Sequence, residues 1–182
     1  MKKYFSFLVV LLFFVVACNN TSTKTEETIS SLGKFDQNPT QFNGNAENAF
    51  QQLESAINKF TADRNPDGSL NRANAPTLIS HILGIFQQFP KDEKTAKIGF
   101  RTAELLTYAN EHQNAARIFH LISTSFPKSE QVGQAQLQLG IILDKNLSNQ
   151  DGAINTYRLF IKDYPNHPLV GTAEGLLYEL VR

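Results

Sequence analysis

One thiol and four imidazoles are the side chains best suited to nucleophilic, metal or acid–base chemistry in this chain: Cys18, His81, His112, His120 and His167. A lone cysteine cannot close an internal disulfide, and no Cys/His cluster has the spacing that holds zinc. No two histidines stand four apart around a carboxylate, so the HExxH string of zinc hydrolases is absent. GxSxG, the Walker loop and GxGxxG are absent too. His81 falls beside an apolar stripe and His112 and His167 fall near helix starts, positions that suit packing or solvation. The acidic pairs Glu26-Glu27 and Asp92-Glu93 suit a solvated stretch and a helix first turn. This inventory argues against an enzyme, and no cofactor or metal is expected.

Cys18 gains meaning from what precedes it. Met1-Lys2-Lys3 is a short basic start, and Tyr4 to Ala17 is almost wholly apolar (YFSFLVVLLFFVVA). As a helix that run would rise about 21 Å, short of the roughly 30 Å hydrocarbon core. A secretory signal over 1–17 fits better than a membrane-spanning segment. Val15-Val16-Ala17-Cys18 resembles the bacterial lipobox, in which small residues precede the cysteine. The resemblance implies a thiol that is diacylglycerated, a leader cut just before it, and a new amino terminus that is acylated. Each buried methylene contributes about 0.8 kcal/mol, so two or three chains make a durable anchor. The alternative is an uncleaved signal anchor with an incidental cysteine. Asn19 stands where an Asp favours inner-membrane retention in enterobacterial lipoproteins, which leans the expected location to the bacterial outer membrane.

Residues 19–44 are mostly Asn, Thr, Ser, Gln and charges, and read with Cys18 as a lipidated, flexible tether over 18–44. Phe35 and Phe42 stand out in it as side chains that could dock on the domain. The full chain is 182 residues with 17 basic and 17 acidic groups, one ordinary domain with no electrostatic reason to bind nucleic acid. Its 14 phenylalanines, with Leu and Ile, supply a core built by apolar burial alone.

A repeat then organises residues 45–182. Phe89-Pro90 recurs as Phe126-Pro127 and Tyr164-Pro165, at spacings of 37 and 38. Counting back from each aromatic residue gives Leu78, Ile79, Ile82 and Ile85; then Ala115, Ala116, Phe119 and Ile122; then Ala153, Ile154, Tyr157 and Phe160. These trace one face of an amphipathic helix. Counting forward gives Ala96, Ile98 and Ala103, then Gly133, Ala135 and Gly140, then Gly171, Ala173 and Tyr178. Small residues there permit close helix approach, and Tyr178 breaks the pattern in a terminal unit. The aromatic–Pro pair stops each unit because proline lacks an N–H and disfavours helical geometry before it. The expected helices are 45–61, 76–88, 93–110, 112–125, 129–145, 150–163 and 168–181. Ser129 and a Ser148-x-x-Asp151 capping box are expected starts, with Pro76 and Pro168 in first turns.

Leu139-Gly140, Ala153, Tyr157 and Pro165 resemble the tetratricopeptide (TPR) repeat, as do Ala103, Ala115, Phe119 and Pro127. The string Tyr164-Pro165-Asn166-His167-Pro168 with Ala173 is similar to that of BamD-like outer-membrane assembly lipoproteins and Tol–Pal-associated periplasmic TPR proteins. The resemblance implies an all-α fold, a right-handed superhelix of about three antiparallel hairpins and a closing helix. It also implies a concave groove lined by first helices that takes a peptide or partner helix. Repeat register places Lys97, Phe100, Arg101, Glu104 and Tyr108 on that side, followed by Gln134, Leu137, Gln138, Ile141 and Asp144. Lys97 and Arg101, four apart, could meet a carboxylate. The competing reading of these positions is ordinary solvated side chains with a few packing ones.

The partner expected is thus a protein or peptide in the cell envelope, with the membrane reached through the lipid. The competing reading is a self-assembling homo-oligomeric subunit. It rests on an apolar face of the closing helix (Leu169, Val170, Ala173, Leu176, Leu177, Leu180) that no later repeat covers.

Overall fold

A computed structural model describes residues 32–182; Cys18, the leader and the first part of the tether lie outside the described residues. Among the described residues there are seven α-helices, one 3-10 turn and no strand beyond an isolated Arg64–Leu70 bridge. The helices are α1 (Ala46–Ala62), α2 (Ala75–Gln88), α3 (Glu93–Tyr108), α4 (His112–Ser125), α5 (Val132–Lys145), α6 (Gln150–Asp163) and α7 (Val170–Val181). They pair as hairpins α1–α2, α3–α4 and α5–α6, and α7 closes on α6. None is long and apolar enough to cross a membrane.

The aromatic–Pro stops are three copies of one device. Phe89, Phe126 and Tyr164 close their helices with nearly the same backbone angles, φ −128, −127 and −128° with ψ 49, 56 and 55°. Each N–H still reaches the carbonyl four residues back, at 2.9, 3.1 and 2.9 Å. Each carbonyl then accepts from the residue three ahead (Asp92, Ser129, His167), so the chain reverses identically before the next helix. The aromatic side chains turn back onto the core while proline ends the ladder.

Helix starts depart from expectation where a side chain builds a turn first. Ser129 Oγ accepts from the Gln131 N–H at 3.2 Å, which holds a turn and delays α5 to Val132. His167 Nδ1 accepts from the Leu169 N–H at 3.1 Å, so Pro168 lies in a turn and α7 begins at Val170. The cap of α6 is Asn149, whose side chain accepts from the Gly152 N–H at 2.9 Å. Ser148 is the left-handed residue of the preceding turn, with φ 53°. Its counterpart Asn110, at φ 60°, ends α3 at Tyr108, two residues earlier than expected.

Close packing follows the register. A Cβ on Gly140 would lie 2.6 Å from the Tyr157 ring, and one on Gly99 2.6 Å from Phe86. Only hydrogen lets these helices approach so closely. Gly171, at the same register as Gly133, has nothing within 4 Å of its would-be Cβ. It is not a packing glycine here, since no further helix lies against it among the described residues.

The α7 face also differs from expectation. Ala173 is fully buried, and Leu169, Val170, Leu176, Leu177 and Leu180 are half-buried against the core. What α7 exposes is Gly171, Thr172, Glu174, Gly175, Tyr178 (65% exposed), Glu179 and Val181 (51%). The expected apolar face is thus largely covered, because it is the side that packs on the preceding hairpin.

The folded body begins earlier than residue 45. Residues 32–44, expected as part of the tether, lie as a strap across α4 and α2. Leu32 and Phe42 are buried, and Phe35 packs partly against the core. The strap's backbone is paired at each end. The Leu32 carbonyl accepts from Arg117 Nε at 2.7 Å and Gln113 Nε2 at 3.0 Å. The Thr40 N–H donates to the Ser80 carbonyl at 2.9 Å, and Gln88 donates to the Thr40 carbonyl at 2.8 Å. A polar segment thereby packs, because its backbone groups find partners that composition does not reveal.

Candidate interaction groove

The outward faces of α1, α3 and the start of α5 bound a cavity of about 910 Å³. Lys97, Phe100, Arg101, Glu104 and Gln134 all line it, so half of the expected groove residues meet in one place. Helix α1 supplies the opposite wall with Glu47, Gln51, Glu54, Ser55 and Asn58. Those α1 residues were missed by reading only the two clearest repeats. Their signal was available, since they form the polar face opposite the buried stripe Ala49, Phe50, Leu53, Ile57 and Phe60. A second hollow of about 740 Å³ opens between the Pro90 and Pro127 turns and shares Lys94, Lys97 and Gln131 with the first.

Several expected contacts have other roles. Phe100 is only 8% exposed and stacks edge-on against Phe119 with ring centres 5.2 Å apart, so it forms the floor. Leu137 is buried in the core. Arg101 already has its carboxylate: its Nη1 reaches both Glu54 oxygens, at 2.8 and 3.0 Å. Ile141 packs against the core, and Asp144 has a side chain 6% exposed that pairs with Lys145 at 2.9 Å. Gln138, Ile141 and Asp144 do not line the cavity. Tyr108 is 75% exposed one turn beyond Glu104 and also lies outside it. These exceptions share a cause: register gives the side of the helix, while stacking decides which turns of that side remain open.

The electrostatics of the groove are mostly balanced. Lys94 bonds Glu47 at 2.9 Å, and this hydrogen bond and the carboxylate charge raise its pKa. With Glu54–Arg101, two ion pairs therefore tie α3 to α1 across the groove. Lys97 and Glu104 have no ion-pair partner among the described residues. Burial raises the pKa of Glu104, since its charged form loses solvent there. The remaining polar lining is uncharged: Gln51, Ser55, Asn58, Gln131 and Gln134. Such amides and hydroxyls both donate and accept, which suits main-chain groups of an extended peptide.

The histidines are dispersed. Burial lowers the pKa of His120, while His81 Nδ1 lies 2.9 Å from the Thr77 carbonyl and His112 Nε2 3.4 Å from Asn146. Tyr157, wholly buried against Gly140, has its pKa raised first by burial and then by Asp144 and Glu179. Among the described residues no three His, Cys, Asp or Glu side chains gather as a metal site.

No curated protein matches the chain. Residues 134–167 match the family model of the tetratricopeptide repeat, a segment that runs from α5 through α6 to the Tyr164-Pro165 turn. With three successive hairpins and a body that is helical among the described residues, the fold is a TPR-like helical repeat array, an architecture of protein–protein interaction scaffolds.

Proposed function

We propose that this protein is a membrane-anchored, non-catalytic scaffold of the bacterial cell envelope. Lipid on Cys18 holds it at the outer membrane, with the helical domain in the periplasm. The groove between α1, α3 and α5 takes an extended segment of a partner protein engaged in envelope assembly. The observation that carries the reading is the groove itself: an amide-rich wall whose ion pairs are internal except at Lys97 and Glu104. Amides would take the main chain of the partner, and the two unpaired charges would select its side chains.

Two experiments test the two halves. Cys18→Ala abolishes incorporation of labelled fatty acid and leaves an unprocessed precursor; continued labelling overturns the anchor. A photo-crosslinking residue at Gln134 captures a discrete partner in intact cells, whereas one at exposed Lys162 on α6 does not. Equal capture at both positions overturns the groove.

A second reading is a self-assembling envelope subunit. It is favoured by Tyr178 and Val181, exposed on the outer side of α7. A stable dimer or trimer at micromolar concentration, lost in Tyr178→Glu, supports it; a monomer argues for the first.

A further inference from the structure

The junction of the first two hairpins is built differently from the next one. Where α4 meets α5 the helices share an extensive contact, whereas α2 and α3 meet over a much leaner one. At the lean junction Phe86 enters the gap at Gly99, and ion pairs reach across it from α1 to α3. The strap runs from the second hairpin to the first over α4 and α2, the helices that do not line the groove. Its start is fixed to the second hairpin through Leu32 on Gln113 and Arg117, with Phe35 beneath the Arg117 guanidinium at 5.4 Å. Its end is fixed to the first hairpin through Asn38, Thr40 and Phe42 on Ser80, His81 and Gln88. Helix α2 accommodates it by Gly84: any Cβ there would overlap the Thr40 carbonyl and lie 2.8 Å from the Phe42 ring.

We propose that residues 32–44 are a conformational strap that sets the angle between the first and second hairpins. Through that angle the strap sets the width of the groove. The groove walls α1 and α3 belong to different hairpins, so any rotation at the lean junction moves one wall against the other. The strap holds that rotation from behind, and the ion pairs Glu47–Lys94 and Glu54–Arg101 limit it in front. Because the chain upstream of Leu32 leads into the strap, tension or binding there is transmitted to the groove. The device regulates the site assigned above and rests on that reading only for the groove's purpose, since the coupling itself is mechanical.

The test uses the full chain in detergent micelles, with spin labels on p-acetylphenylalanine at Asn58 in α1 and Gln134 in α5. Gly84→Ala is the main variant, because alanine favours helix α2 yet displaces the strap. Arg117→Gln, which adds no bulk, is the second. Hydrogen exchange reads strap release, and electron–electron double resonance reads groove width. The expected result is at least tenfold faster exchange in the strap with a shifted or broadened label distance, while exchange in α5 and α6 stays unchanged. Strap release with an unaltered distance distribution overturns the proposal, and so does failure of both variants to release the strap. Neither reading needs a ligand, so a groove that captures no partner would sink the proposed function and leave this result standing.

Discussion

The two junctions between hairpins show two ways of fixing the same repeat. The α4–α5 junction is held by the helices themselves, with Ile122, Ala135 and Leu139 all buried in one continuous core. The α2–α3 junction has less helix-to-helix contact, with Phe86 packed at Gly99, and is supplemented from elsewhere: the strap behind, two ion pairs in front, and Arg72 to Glu111 at 2.6 Å at the loop end. Apolar contact is short-ranged and is not screened by salt, whereas exposed ion pairs are weak and screened. The comparison teaches that similar helix registers need not give equally extensive joints. The groove walls α1 and α3 stand on either side of the leaner one.

The largest effect is expected in the tightly packed repeat. Gly140→Leu should overpack Tyr157 and destabilise by about 1–3 kcal/mol, read as a fall in melting temperature. Gly171→Leu, on the open side of α7, should change stability by no more than about 0.5 kcal/mol. Equal losses at the two glycines would erase the distinction between packed and open registers.

A smaller effect is expected at the lean junction. A double-mutant cycle on Glu54→Gln and Arg101→Gln should give a coupling of about 0.2–1 kcal/mol that fades at high salt. A coupling that persists in molar salt would mean that this pair is not a screened surface contact.

The smallest concerns α4, the helix that meets α5 at the fuller junction. Burial lowers the pKa of His120 below its ordinary 6.5, so the folded state resists a proton that the unfolded chain accepts. The stability it contributes is complete above about pH 6.5 and is lost as pH falls towards the lower folded value. His120→Gln should flatten part of the melting-temperature decline between neutral and mildly acidic pH. Superimposable pH profiles would remove His120 from the account.

Much of the fold was legible in the residues. Phe89, Phe126 and Tyr164, each followed by proline, marked the helix ends, and the offsets around them marked Gly140 as a small residue that permits close helix approach. The strap was legible only as the two aromatic residues Phe35 and Phe42 in a polar stretch. Its grip comes from backbone carbonyls and amides, which every residue type carries. Of the side chains that register puts on one side, Lys97, Glu104 and Gln134 line the cavity, while Arg101 is paired with Glu54, 47 residues away. Asp144 is turned to Lys145, and through Lys145 the pair comes within 3.6 Å of Glu179 on α7.

By itself, then, the sequence determined the period, the helices, their buried faces and the stops, because these depend on spacings of three or four residues and on what proline forbids. The tertiary structure alone decided which polar side chains remain available to a partner. That depends on pairs such as Glu47–Lys94, 47 residues apart, and Leu32–Arg117, 85 apart. Separations of that size are bridged only once the hairpins stack, and the angle of one lean junction sets where they meet.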